Sequence, residues 1–390
     1  MSEQTINESA LERLLHAMWA TPAGQGRQAS NLFLWGPPGI GKTLRAVRAA
    51  RTERRHMEVV LLSVREPSDL VGMPFLTKAG VELQAPAWAR RIVDAHTRGQ
   101  KSVLFVDEFN CGAPLVQAAF LRVANERMVA DLPLPDDCAI VAAANPPDQG
   151  AAAAHDLALA TSNRWVHHDV TLDVSEWIDH MLSDGGDAGV DYSYMGSNEE
   201  RWRGIYAEER GLVTAFLGRR PELALSMPKE DDPQASRGWA SPRSWEQFAR
   251  ARAGARFHAL GPDTRDTLCV GCVGSHTTEE FIKWLGANDL PDMAAVLDGT
   301  IKWTPDRRLD RTWAVMSAGA ALVAPPTAVR RKERCEVLWS MVAGIAQTTV
   351  DVVVPCSRTL VKSRLHIGSP AATKALALIQ PVLEAAGVRA

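Results

Sequence analysis

The chain has 390 residues, 46% of them hydrophobic and 23% charged, with a formal net charge of −3. That length predicts two or three domains, and the composition excludes collagen-like, mucin-like and low-complexity classes. The near balance of charge gives no basis for nonspecific binding to nucleic acid or to a membrane surface. No apolar run approaches the roughly 18 residues of a spanning helix.

The first segment, MSEQTINESALERLLHAMWA, is polar and acidic, unlike a signal peptide. Six scattered cysteines suit a reducing compartment, so the cytoplasm is the expected location. ESALERLLHAMW (8–19) has helical period, with Ser9 placed to cap it, and is expected beside the first strand. NLFLW (31–35) reads as a buried strand and KTLRAVRAARTERR (42–55) as a basic amphipathic helix. EVVLLSV (58–64), SVLFVD (102–107), AIVAAA (139–144) and WVHHDV (165–170) are further strands, with helical segments between most of them. Short apolar strands alternating with helices predict an α/β fold: a doubly wound parallel sheet covered on both faces. Beyond residue 172 the strand signal fades and helical period dominates, interrupted by irregular stretches at 183–200 and 226–242.

Gly36, Gly41, Lys42 and Thr43 fill every fixed position of the GxxxxGK[ST] phosphate loop of a P-loop NTPase. The glycines let backbone N–H groups turn toward phosphate oxygens at the positive end of the following helix. Gly36, Pro37, Pro38, Gly39, Ile40, Gly41, Lys42, Thr43 and Leu44 are therefore the candidate ATP-binding residues. Lys42 would neutralise the β and γ phosphates, while Thr43 and Asp107 would hold Mg²⁺. Asp107 and Glu108 close the apolar run VLFVDEFN, where a doubly wound sheet places its ligands. Glu108 there would deprotonate the attacking water. Asn145 ends AIVAAANPP and could bond the lytic water or the γ phosphate. Arg164, on a short loop before the last strand, could reach a neighbouring subunit's γ phosphate.

These elements, in this order, resemble the AAA+ ATPases, and most nearly the MoxR-like branch of the helix-2-insert clade. GPPGIGKT looks like Walker A and VLFVDEFN like Walker B; AAANPP resembles sensor 1, LATSNRW the arginine-finger segment, and SPRSW (241–245), with Arg243, sensor 2. Two positions depart from the pattern. Asn163 stands before Arg164 where an acid is common, and Cys111 follows Asn110 where arginine is common.

Helical period and the resemblance, which ends near residue 290, together divide the chain into an N-terminal helix (1–30), a nucleotide-binding domain (31–172), an α-helical lid (173–300) and a C-terminal helical extension (301–390). The resemblance also implies a homo-oligomeric ring, expected to be a hexamer, with Arg164 completing another subunit's site and Arg243 sensing the γ phosphate. Within SVREPSDLVGMPFLTKAGVELQAPAWARRIVDAH (63–96), a helix capped by Ser68 and a second helix flank a hairpin with Lys78-Ala79-Gly80 at its tip. The clade is named for such an insert, and the resemblance implies that it faces the ring's pore.

The guanine-selecting signal of a GTPase, an acceptor signature of a kinase and a basic aromatic stripe are all missing. Remodelling of a protein partner remains, by family resemblance one with a von Willebrand factor A domain. A nucleic-acid-acting ATPase of a restriction or defence system and a nucleotide-gated scaffold stay open as alternatives. CVGC (269–272) with His276 reads as a small-residue helix contact rather than a zinc site. His167-His168 reads as structural, and RRKER (330–334) as a solvated helix face.

Overall fold

The computed structural model describes residues 10–20, 31–78, 80–147, 154–183, 190–229, 232–233, 235–305, 308–385 and 388. The chain divides between residues 171 and 172 into two compact units.

The first unit opens with α1 (Ala10–Ala20); Ser9, the expected cap, lies outside the described residues. Leu11, Leu15 and Trp19 form its buried stripe. Its main neighbour is α2 (Lys42–Thr52) rather than the first strand. The buried Glu12 pairs with Arg48 across that contact at 3.4 Å.

Around this pair the chain alternates as expected. β1 (Asn31–Trp35) leads through α2 to β2 (His56–Leu61). The short α3 (Ser68–Val71), the hairpin β3 (Met73–Thr77) and β4 (Gly80–Gln84), and α4 (Ala87–Thr97) follow. Then come β5 (Ser102–Asp107), α5 (Pro114–Glu126) and a two-stranded ribbon of β6 (Met128–Val129) and β7 (Leu132–Pro133). β8 (Ala139–Ala144), α6 (Leu159–Ser162) and β9 (Trp165–Asp169) complete the unit.

The main sheet is wholly parallel, in the order β2-β5-β8-β1-β9. Its inner strands are the most apolar because both their faces are covered. β9 lies at the edge and buries only Trp165. Ser68 does not cap α3: Pro67 holds the N-cap position, and the Asp69 carboxylate accepts from the Glu66 N–H at 3.1 Å. The aspartate thus holds the chain just before the helix rather than the first-turn donors a capping serine would take.

The second unit is helical: α7 (Val174–Leu182), α8 (Glu199–Arg219), α9 (Pro242–Phe257), α10 (Pro262–Val273) and α11 (Ser275–Asn288). α12 (Met293–Leu297), α13 (Leu309–Val323), α14 (Arg331–Ala346), α15 (Val354–Lys362) and α16 (Pro370–Ala385) follow. One core gathers Phe216, Trp245, Phe248 and Phe281; another gathers Met316, Leu338, Trp339 and Leu360. α13 joins them, since it lies along α8 so closely that a Cβ on Gly211 would stand 2.5 Å from the Ala318 Cα. Gly211→Ala is therefore expected to lower stability by about 1–3 kcal/mol through overpacking, against alanine's better helix propensity. A denaturant midpoint at or above that of the parent chain would contradict the close approach.

The basic run at 330–334 is only in part a solvated face: Lys332 and Glu333 are exposed, but the arginines are anchored. Arg334 grips Asp298 with two hydrogen bonds (2.9 and 2.7 Å), and Arg330 adds a third at 3.1 Å. Arg331 donates to the Val323 and Ala324 carbonyls (3.0 and 2.8 Å), closing the end of α13. The Arg334 hydrogen bonds hold the Asp298 carboxyl below its ordinary range. A Cβ on Gly238 would lie 2.3 Å from the Gly271 carbonyl oxygen of α10, so the contact requires glycine at 238, whereas a Cβ on Gly271 itself would meet nothing within 4 Å.

Candidate nucleotide site

β1 ends at Trp35, and the chain turns through Gly36–Gly41 into α2. The Gly36 N–H donates to the Ala144 carbonyl (3.3 Å), tying the loop to β8. A Cβ on Gly36 would fall 2.6 Å from the Val170 carbonyl oxygen, so a side chain there would force the strands apart. Gly39 (φ 81°) and Gly41 (φ 91°) hold left-handed backbone that residues with a Cβ rarely adopt. Gly41 is also the N-cap of α2, without a capping side chain and with no acid in the first turn. The helix thus presents its first N–H groups and its positive end toward the loop. Pro37 and Pro38 stiffen the turn, Ile40 anchors it in the core, and Leu44 is exposed.

Because β8 lies between β1 and β5, Asn145 at its carboxyl end stands between the loop and the acid-ended strand. Lys42, only 7% exposed, donates to the Gly36 carbonyl (2.7 Å), the Pro37 carbonyl (3.1 Å) and the Asn145 Oδ1 (2.9 Å). Thr43 Oγ1 donates to Asp107 Oδ2 at 2.6 Å, and the Glu108 N–H donates to Asp107 Oδ1 at 2.9 Å. Hydroxyl and carboxylate oxygens this close are a hard-donor pair suited to magnesium. The glycine cradle, the lysine and the oxygen pair together fit a nucleoside triphosphate carrying a divalent cation.

Glu108 has φ 52° and ψ 41°, a left-handed conformation costing on the order of 1–3 kcal/mol for a residue with a Cβ. Ser63, just past the end of β2, donates its hydroxyl to the Glu108 carboxylate. Asn110, fully buried, donates Nδ2 to the Asn145 carbonyl at 2.7 Å and so braces that residue's backbone. Ser63 escapes a motif search because it is 45 residues from Glu108 in sequence. The signal for it is register: Leu61 pairs with Asp107, so the next residues of both chains share one edge of the sheet.

Arg164 is not in this cluster. Its neighbour Trp165 pairs with Asn31, at the opposite end of β1 from the phosphate loop, and its guanidinium donates to the Ala160 carbonyl from an exposed position. His167 accepts from Trp35 Nε1 at 2.9 Å and donates Nε2 to the Ser162 carbonyl at 2.9 Å, which makes it a strut of the edge strand. Arg243 belongs to the helical unit, exposed in the first turn of α9, where Ser241 and Ser244 form a capping box and Trp245 is buried.

Residues 31–164 match the family model of the AAA domain, dynein-related subfamily. Over this stretch the chain is similar to the AAA domains of that subfamily. No curated protein matches the chain. Among solved structures, a RuvB mutant from Thermotoga maritima is similar at 12% identity, over 77% of each chain, with a TM-score of 0.32. The AAA match begins at β1 and ends at Arg164, so it spans the phosphate loop, the acid pair and Asn145.

Proposed function

We propose that this chain is a Mg-ATP-dependent, ring-forming ATPase of the MoxR-like type that hydrolyses ATP to remodel or activate a protein partner. The observation that carries the reading is the convergence of Lys42, Thr43, Asp107 and Asn145 at the carboxyl ends of the inner strands while Arg164 stands at the amino end of the sheet. Residues of the phosphate loop would bind the triphosphate through backbone N–H groups and Lys42. Thr43 and Asp107 would hold Mg²⁺, which when bound supplies charge neutralisation between the β and γ oxygens. Glu108, aimed by Ser63, would take the proton of the attacking water, and Asn145 would orient that water. Arg164 would act in a neighbouring subunit, in a ring read as a hexamer. Residues 173–300 would serve as the lid, with Arg243 sensing the γ phosphate, and 301–390 as the extension.

The choice of a protein partner rests on the hairpin. Met73, Phe75, Leu76 and Val81 project from it into solvent, with Lys78 beside its turn; Ala79 lies outside the described residues. Apolar groups on a two-stranded finger suit an unfolded or loosely held polypeptide, and a von Willebrand factor A domain protein is the partner type the family reading favours. A cytoplasmic setting fits a chain in which no described helix is long and apolar enough to cross a membrane.

Glu108→Gln with ATP should trap the assembled ring with its partner, so that a pull-down recovers a protein that the Lys42→Ala form does not. ATP turnover stimulated by DNA, and falling steeply with salt, would overturn the protein-partner reading. Phe75→Ser with Leu76→Ser is expected to leave basal turnover within about twofold, as for surface changes away from a site, while abolishing stimulation by the trapped protein. Stimulation that survives both changes would remove the hairpin from the partner-binding surface.

A further inference from the structure

Helix α8 carries three glycines seven residues apart, Gly204, Gly211 and Gly218, and they serve different ends. Gly211 meets Ala318, and a Cβ on Gly218 would lie 3.0 Å from the Trp313 indole. Residues rising along α8 thus meet residues falling along α13, and α13 ends at Val323, before it reaches the level of Gly204. A Cβ on Gly204 meets nothing within 4 Å. Packing therefore does not require glycine there, although glycine is the poorest helix former after proline. What Gly204 does is leave space.

That space is a cavity of about 370 Å³, within the range of small-molecule pockets. Leu322, Pro325 and Val329 supply an apolar side, and Glu200, Arg203 and Arg334 also line it. Arg210 reaches the wall from the protein interior and is 1% exposed. Its Nη1 donates to the Met181 carbonyl at 3.1 Å, its Cζ lies 5.0 Å from the Tyr206 ring centre, and its Nε has no partner. Among the described residues no carboxylate pairs with it: Glu200 stands roughly 15 Å away along α8, and the nearer acids are engaged elsewhere. Glu209 binds Arg252 (2.7 Å) and Arg256 (3.0 Å), Glu199 binds Arg203 (2.7 Å), and Asp298 binds Arg334. The terminal carbonyls of α13, which would repel an anion, are occupied by Arg331.

A buried guanidinium without a counter-charge burdens the fold, and a carboxylate or phosphate offsets that burden best because it can accept two hydrogen bonds at once. We propose that this cavity binds a small organic anion, its acid head on Arg210 and its apolar body against Leu322, Pro325 and Val329. Glu200, ten residues and roughly 15 Å of helix from Arg210, accepts from a hydroxyl or amine at the molecule's far end. The site lies wholly within the helical unit and does not depend on the ATPase reading.

The test uses the full chain and four probes at millimolar concentration: benzoate, 4-hydroxyphenylacetate, phenyl phosphate and glucose 6-phosphate. Each is compared with its neutral amide or unphosphorylated counterpart by thermal unfolding and titration calorimetry. At least one acid is expected to bind saturably and raise Tm by several degrees where its neutral counterpart does not; whether carboxylates or phosphates do so identifies the head group. Gly204→Leu fills the cavity and is expected to fold with an unchanged or higher Tm while weakening the acid at least tenfold. Arg210→Met is expected to do the same without loss of Tm, and if it fails to fold, Gly204→Leu decides alone. The proposal is overturned if no acid binds better than its neutral counterpart, if binding survives Gly204→Leu, or if Gly204→Leu unfolds the chain.

Discussion

Glu108→Gln is expected to lower ATP turnover by about 10² to 10⁴-fold, the usual contribution of a positioned general base, while leaving ATP affinity within about threefold. Phosphate-binding groups and the Thr43–Asp107 pair are untouched by the change, so binding and chemistry separate. Ser63→Ala tests the same carboxylate from its other side. Its hydroxyl aims Glu108 without standing among the phosphate ligands, so its removal is expected to cost turnover by roughly tenfold, about the value of one hydrogen bond, with affinity preserved. Steady-state kinetics and equilibrium nucleotide binding on both variants decide the matter. A Glu108→Gln protein that keeps more than a tenth of its turnover is not using Glu108 as its base.

The strained backbone at Glu108 belongs to the same argument. Left-handed φ at a residue with a side chain persists only when its surroundings impose it. Here Asp107 accepts from the Glu108 N–H and Ser63 donates its hydroxyl to the Glu108 carboxylate, so two contacts fix the turn between the two acids. Neighbouring acids on one strand end thereby have different partners, Thr43 for Asp107 and Ser63 for Glu108.

The phosphate loop and the inner strands were legible in the residues because both obey local rules. A loop that must turn backbone N–H groups inward needs glycine at Gly39 and Gly41, and a strand covered on both faces must be apolar throughout. The hairpin within 63–96 was legible for the same reason, from alternation bounded by turn residues. What the residues do not declare is strand order. That β8 lies between β1 and β5, which brings Asn145 onto Lys42, follows from packing over a hundred residues of chain. The ribbon β6–β7 is too short to give a period. The run at 330–334 misled because charge alone does not say whether a partner is near; Asp298, more than thirty residues earlier, turns those arginines into anchors.

Arg164→Ala is expected to leave ATP binding by a single subunit intact and to lower turnover of the assembled protein by about 10³ to 10⁵-fold, the range of an arginine finger. Sheet geometry supplies the reason. Asn31 and Trp35 bound the same strand, Trp165 pairs with the first and the phosphate loop follows the last. Four steps of strand separate Asn31 from Trp35, about 13 Å at the rise of a parallel strand, so in the proposed ring the Arg164 side chain would serve a γ phosphate across a subunit boundary. Mixing therefore distinguishes this role from a structural one. Lys42→Ala subunits have a crippled loop but an intact arginine, and Arg164→Ala subunits have the reverse. Neither is active alone, yet a mixture is expected to regain turnover wherever an intact loop meets an intact arginine. Activity retained by Arg164→Ala alone, or a mixture as inactive as its parts, would return Arg164 to the role of an exposed residue bonded to the carbonyl of Ala160.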